Sequence, residues 1–177
     1  MRKANRFKKF WGWLTKSRQA EEASPAQQSS LTLTADLENL NPFQDFVREC
    51  VDKFNVSGPW TLKLELVLEE ALVNVMSYAY PDGNGDVEVI CRAAMEENGN
   101  MFSVTIKDQG IPYDPLQRDD PDIDLPLEER PIGGLGVKLM REMSDDLRYE
   151  SLDGNNVMSF AFLLGESQEE DEEAMPE

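Results

Sequence analysis

The sequence predicts an α+β fold, a two-layer α/β sandwich with helices on one face of a mixed, mainly antiparallel sheet. Two features of the chain indicate it. Segments with alternating apolar and polar residues predict strands, and segments with apolar residues at helical spacing predict helices. Their order is strand, helix, helix, strand, strand, long loop, helix, strand, strand. The length of 177 residues suits one such core with a tail at each end.

The first half of the fold begins with the strand pattern "LTLTA" at residues 31 to 35. In "NPFQDFVRECVDKF", Pro42 is suited to a first helical turn, and the apolar residues that follow form one stripe. A second helix is predicted from about Pro59 to Tyr78, with Ser57 as a plausible N-cap. This helix is apolar nearly all round, so burial on more than one side is expected.

The second half begins with the turn-like "YPDGNG" and a predicted hairpin, "DVEVICRA" and "MFSVTIKD". Between Gly110 and Gly133 lies a loop with five prolines and seven acidic residues, which is either disordered or a lid, and the three glycines after it favour a lid. A third helix is predicted from about Gly136 to Met143. The strands "LRYESL" and "NVMSFAFLL", joined by "DGNN", complete the order.

The two ends of the chain differ sharply in charge. Residues 1 to 18 carry seven basic and no acidic side chains, whereas the last twelve residues carry seven acids and no base. We therefore divide the chain into a basic tail and linker (1–29), one domain (30–165) and an acidic tail (166–177). Apolar residues at helical spacing in the basic tail are consistent with peripheral membrane contact or an acidic partner, while a disordered arm remains the alternative.

The composition excludes several classes of function. A net charge of −18 argues against nucleic-acid binding, which needs clustered basic residues. The chain has no histidine, which removes histidine triads, histidine-ligated zinc and autophosphorylation on histidine. Cys50 and Cys91 lie in apolar runs, where buried reduced thiols and a cytoplasmic location are expected. No apolar run reaches the roughly 18 residues of a membrane span.

Two polar residues, Glu70 and Asn74, interrupt the apolar second helix. Because they are four residues apart, they project from one face, one turn above the other. A carboxylate and a carboxamide in this arrangement can orient a hydroxyl and supply an oxygen ligand to Mg²⁺. The alternative is a solvated stripe, which is the interpretation that we apply to Glu65 and Glu69.

Two further segments carry candidate site residues. Asp108 ends a predicted strand and Gly110 follows, so the acid could accept an amine donor while a flat ring passes the backbone; a simple turn is the alternative. Gly133, Gly134 and Gly136 precede or open the third helix, where exposed amides can hold an anion. This segment lacks the pattern of a P-loop, a dinucleotide-binding fingerprint or a eukaryotic-type protein kinase.

In this order, the three motifs resemble the ATP-binding domain shared by gyrase and the histidine kinases, the GHKL superfamily with the Bergerat fold. The closest resemblance is to its anti-sigma-factor serine kinases of the RsbW and SpoIIAB type. "LEEALVNVMSYAYPDG" is similar to the N-box of that family, "DQGIPYDP" to its first glycine box and "RPIGGLGVKLM" to its second. The resemblance covers about residues 30 to 165.

The resemblance implies ATP and Mg²⁺ as cofactors, with Glu70 as general base and Asn74 as the metal ligand. It implies that Asp108 binds the adenine amino group and that Gly110 lines the base pocket. It assigns phosphate binding to the segment comprising Gly133, Gly134, Leu135, Gly136 and the nearby cation Lys138. The family often has a histidine where this chain has Tyr78, a change expected to affect packing near the pocket.

Two functions follow from the resemblance. The first is a serine/threonine kinase that phosphorylates a hydroxyl on an anti-anti-sigma (STAS-domain) protein in a partner-switching pathway, with a sigma factor as a further partner and the kinase as a homodimer. The second is a nucleotide-responsive module that sequesters its partner with little phosphotransfer. Only the first function requires Glu70 to act as a base.

Overall fold

The computed structural model describes residues 27–81, 83, 85–94, 100–117 and 135–164. Both charged tails, most of the predicted lid, and the glycines Gly133 and Gly134 lie outside these residues. Within the described part of the chain, the elements follow the predicted order. No helix among these residues is long and apolar enough to cross a membrane.

A single sheet of five strands forms one layer of the fold. The strands are β1 (Gln27–Thr34), β2 (Asp86–Ala94), β3 (Met101–Asp108), β4 (Asp146–Leu152) and β5 (Asn155–Leu163). Their spatial order is β1-β2-β3-β5-β4, and all four pairings are antiparallel. The β4–β5 hairpin turns at Asp153 and Gly154, with φ of 52° and 77°, the left-handed conformations that a two-residue turn needs.

Three helices form the other layer: α1 (Leu40–Lys53), α2 (Thr61–Tyr78) and α3 (Leu135–Met143). Pro42 lies in the first turn of α1, as predicted. The expectation that Ser57 caps α2 is wrong, because the cap position is Trp60 and its side chain makes no capping bond. Instead, Thr61 donates from both its amide and its hydroxyl to the carbonyl of Gly58.

The core lies between the helices and one face of the sheet, with Phe43, Leu68, Phe102 and Phe160 among its fully buried side chains. Cys50 and Cys91 are both buried and free of a disulfide, as predicted. The expected burial of α2 on more than one side is not observed, because its fully buried residues lie on one face and Leu62 and Leu66 are 67% and 40% exposed. The buried side of α2 nevertheless holds it against the sheet, which positions the polar residues discussed next.

Candidate functional site

A cleft lies between the C-terminal half of α2 and the sheet, at the end of β3 and the start of β5. Its walls are formed largely by apolar side chains: Val75, Ala79, Ile111 and Met158. The polar groups in this lining are few, and include Asn74, Asp108 and Asn156. A mostly apolar cleft with a few placed polar groups is typical of a site for a small organic ligand.

Asp108 is the acidic group on the floor of this cleft. It is the last residue of β3, and only 6% of its surface is exposed. Its Oδ1 accepts hydrogen bonds from the Gly110 amide at 2.9 Å and from Asn156 Nδ2 at 2.8 Å. Among the described residues, no donor is bonded to its Oδ2. One carboxylate oxygen is therefore held by the protein, and the other can accept a hydrogen bond from a ligand.

Gly110 is placed beside the cleft rather than in its lining. A Cβ at this position would overlap the backbone carbonyl oxygen of Ala79 and lie 2.5 Å from the Ala79 Cβ. The neighbouring Ile111 amide donates to the same carbonyl at 2.8 Å. Glycine at 110 thus permits the loop after β3 to pack directly on the C-terminal end of α2, which brings Ile111 to the cleft.

Glu70 and Asn74 project from α2 one turn apart, as the spacing predicts, about 6 Å along the helix axis. Asn74 lies on the cleft lining that also includes Asp108. Glu70 lies further toward the start of α2 and contacts α3, because a Cβ on Gly136 would collide with Glu70 Oε2. The half-buried Glu70 is therefore not part of a solvated stripe, unlike Glu69, which is exposed.

The first turns of α3 bring further predicted site residues to the Glu70 side of the cleft. Gly136 adjoins Glu70, whereas Leu135 is 65% exposed. Lys138 lies one turn into the helix, with its ammonium 4.0 Å from the Glu142 carboxylate. Arg141 donates a hydrogen bond to the carbonyl of Leu116, which connects α3 to the loop after β3. The amides at the start of α3 and the nearby Lys138 favour an anion here.

Several residues of the cleft were missed by the sequence interpretation, above all Asn156 and Tyr149. Tyr149 donates from its hydroxyl to Asn156 Oδ1 at 2.7 Å, and Asn156 in turn donates to Asp108. Burial, followed by the nearby Asp108 charge, raises the pKa of Tyr149, so its hydroxyl is retained as a donor. Asn156 stands where the predicted turn "DGNN" and the predicted strand "NVMSFAFLL" overlap, and its alternation with the buried Met158 and Phe160 is the signal that places it on the core face.

Comparison with known proteins identifies the family. The histidine kinase-like ATPase domain matches residues 33–162, nearly three quarters of the chain. The chain belongs to this family. The predicted resemblance to the GHKL superfamily is confirmed, and so is the predicted α+β fold.

Named relatives of this ATPase family domain are serine kinases. The chain is 31% identical over 101 residues to the serine/threonine-protein kinase BtrW of Bordetella bronchiseptica, covering 55% of this chain and 69% of BtrW. It is 25% identical over 116 residues to the serine-protein kinase RsbW of Bacillus mycoides, covering 61% and 68%. The resemblance to the RsbW type is thereby confirmed.

A solved structure supports the same fold. It contains the RsbU and RsbW domains of a Mycobacterium tuberculosis protein, and it superposes with a TM-score of 0.51 at 12% identity. The match covers 79% of this chain but only 33% of that longer chain. At this identity, the similarity establishes the architecture of the ATPase domain alone.

Proposed function

We propose that this protein is an ATP-dependent serine/threonine kinase that transfers a phosphoryl group to a hydroxyl of a regulatory protein. The observation that carries the proposal is the placement of three polar side chains in and beside one cleft, two of them on α2 and one at the end of β3. Asp108 lies at one end, Asn74 lies on the same cleft lining, and Glu70 adjoins the start of α3 at the other end. The kinase names of the BtrW and RsbW relatives support the same reaction.

The cleft fits the base of ATP. Its apolar walls suit a flat aromatic ring, and Asp108 Oδ2 suits the exocyclic amine of adenine, which is a hydrogen-bond donor. Tyr78 lines the mouth of the cleft and is 69% exposed, so it is placed to cover a bound ring without filling the pocket. Gly110 contributes by the close packing that brings Ile111 to the pocket wall.

The donor set on α2 fits Mg²⁺ only as a partner of the nucleotide. Among the described residues, no group of three or more carboxylate, cysteine or histidine side chains could hold a metal ion. Asn74 would supply one oxygen ligand, and phosphates would supply others, which is how Mg²⁺ is usually held in kinases. When bound, Mg²⁺ would neutralise charge on the transferring phosphoryl group.

Glu70 is the proposed general base. Its carboxylate lies one helical turn from Asn74 and beside Gly136. Gly136 is at the N-terminal end of α3, where the free backbone amides favour phosphate. There Glu70 can accept the proton of an incoming serine or threonine hydroxyl. We assign the phosphates to the α3 start with Leu135, Gly136 and Lys138, together with Gly133 and Gly134, which lie outside the described residues.

The acceptor that we propose is an anti-anti-sigma (STAS-domain) protein, with a sigma factor as the alternative partner in the same pathway. The RsbW and BtrW relatives motivate this choice. We further propose a cytoplasmic homodimer whose ATPase domain spans residues 30–165. Peripheral membrane contact by the basic tail remains a minor proposal, which liposome flotation with and without residues 1–18 would test.

The test replaces the proposed base. Glu70→Ala should lower phosphotransfer from ATP to a purified STAS-domain protein by about 10² to 10⁴ while ATP still binds. The matched control is Glu69→Ala, which removes the neighbouring carboxylate, one that is exposed and receives a hydrogen bond from Gln44. Phosphotransfer should be unchanged in the control.

Three outcomes would contradict the proposal in whole or in part. Equal phosphotransfer in Glu70→Ala and wild type would remove Glu70 from the role of base. Capture of the partner by both proteins, with no phosphate transferred by either, would favour the sequestering module instead. Failure of the wild type to bind ATP, measured by thermal unfolding with and without Mg²⁺, would reject both functions.

A further inference from the structure

We propose that Tyr149 and Asn156 are positioning residues that set the base specificity of the cleft by fixing the Asp108 carboxylate, an inference that rests on the proposed binding of ATP there. Neither residue belongs to the three motifs that identify the family. Both come from the β4–β5 hairpin, and Asn156 lies 48 residues beyond Asp108 in the chain.

The three side chains form one directed series of hydrogen bonds. Tyr149 donates from its hydroxyl to Asn156 Oδ1 at 2.7 Å. Asn156 Nδ2 then donates to Asp108 Oδ1 at 2.8 Å. The same Nδ2 lies 3.2 Å from the Gly110 carbonyl oxygen and 3.4 Å from that of Ile111. Every polar atom of the Asn156 carboxamide therefore has a partner.

These partners allow only one orientation of the Asn156 carboxamide. Reversing it would direct Oδ1 at three acceptors: Asp108 Oδ1 and the carbonyl oxygens of Gly110 and Ile111. Tyr149 supports this orientation, because its hydroxyl donates to the oxygen of the carboxamide and could not donate to the amide nitrogen. Fully satisfied buried networks of this kind hold their members rigidly.

The consequence of the network is a carboxylate with one committed oxygen. Asp108 Oδ1 accepts from Asn156 and from the Gly110 amide, so its Oδ2 is left for the ligand. A fixed acceptor at that position favours the adenine amine and opposes hypoxanthine, which presents a carbonyl oxygen there. Without Tyr149 or Asn156, Asp108 could rotate or recruit water, and the discrimination between the two bases would fall.

The experiment compares ATP with inosine triphosphate in equilibrium titrations of the purified chain. The variants are Tyr149→Phe and Asn156→Leu, which remove hydrogen bonds with little change in volume. The control is Thr105→Val, because it removes the Thr105–Ser159 side-chain hydrogen bond between the same two strands, β3 and β5, outside the lining of the cleft. Circular dichroism and thermal unfolding establish that each variant is folded.

We expect the wild type to prefer ATP to inosine triphosphate by about 10-fold to 100-fold, the range of one hydrogen bond to a charged group. In Tyr149→Phe this preference should fall by about 3-fold to 10-fold, through weaker ATP binding and unchanged binding of inosine triphosphate. Thr105→Val should retain the wild-type preference.

If Tyr149 had only a structural role, its loss would weaken the binding of both nucleotides equally. An unchanged preference for ATP in folded Tyr149→Phe would therefore overturn the inference. If Asn156→Leu does not fold, Tyr149→Phe alone decides. A wild type that binds ATP, together with a variant that keeps its preference, rejects this inference and leaves the proposed kinase function intact. A wild type that binds neither nucleotide rejects both.

Discussion

The two ends of the cleft are built in different ways. At the base end, Asp108 is held by the Gly110 amide and by Asn156, and the loop after β3 lies against the backbone of Ala79. At the phosphate end, Glu70 meets Gly136 through the far end of a long side chain, and Lys138 is 4.0 Å from its partner Glu142. One end is fixed by backbone contacts and buried hydrogen bonds, the other by the tips of side chains.

This difference indicates how the site divides its work. Recognition of a flat base needs an acceptor that does not move, and strands joined by hydrogen bonds supply it. Transfer of a phosphoryl group depends on where the reacting groups are held, and here the Glu70 carboxylate is held through the end of its side chain, which a substitution can shift without disturbing the backbone. A glycine-to-alanine substitution should therefore lower stability at the base end and lower phosphotransfer at the phosphate end.

The largest effect on stability is expected from Gly110→Ala. The new methyl group would overlap the backbone carbonyl oxygen of Ala79, which cannot move without shifting the end of α2. Overpacking of this kind should lower the free energy of unfolding by about 1–3 kcal/mol. Urea unfolding monitored by circular dichroism would measure it.

The matched control for that substitution is Gly83→Ala, where an added Cβ would meet no atom within 4 Å. It should leave stability within about 0.5 kcal/mol of the wild type. Equal stability of Gly110→Ala and wild type would show that the base end is less rigid than its contacts indicate, and the comparison between the two ends would lose its basis.

A smaller and opposite effect on stability is expected from Gly136→Ala. The new methyl group would overlap Glu70 Oε2 and lie 3.0 Å from Glu70 Cδ, and both atoms belong to the end of a flexible side chain. Alanine also favours the helix by up to about 1 kcal/mol. Stability should therefore be unchanged or slightly raised. Displacement of the Glu70 carboxylate should nevertheless lower phosphotransfer by about 10-fold to 100-fold.

A double variant identifies the route of that loss. In a Glu70→Ala background there is no carboxylate to displace, so adding Gly136→Ala should lower phosphotransfer no further. A further loss in the double variant would mean that Gly136 acts on the phosphates directly, through its backbone, and not through the position of Glu70.

The smallest effect concerns alkaline pH. Burial, followed by the charge of Asp108, raises the pKa of Tyr149 in the folded protein above the value near 10 of an unfolded tyrosine. Its contribution to stability is thus complete below about pH 10 and is lost as pH rises through the folded pKa. Between about pH 9 and 11, wild-type stability should fall more steeply than that of Tyr149→Phe. Parallel curves for the two proteins would contradict the raised pKa of Tyr149.

Local patterns were sufficient for much of the fold. The alternation in "DVEVICRA" and "MFSVTIKD" correctly predicted β2 and β3, and Glu70 and Asn74 share a helix face because helical spacing alone requires it. The prediction of a cap at Ser57 was wrong, because Thr61 and the backbone of Gly58 begin α2 in another way. Leu62 is 67% exposed, so the apolar composition of α2 did not predict how much of the helix surface is buried.

The sequence by itself therefore determined the elements, their order, and the residues that a single helix or strand end brings together. Only the tertiary structure decided that Asn156 bonds to Asp108, that Gly110 packs on Ala79, and that Gly136 meets Glu70. The physical reason is distance along the chain. Each of these contacts joins residues from different elements, and their meeting depends on the pairing of β3 with β5 and on how the helices pack, neither of which a local period encodes.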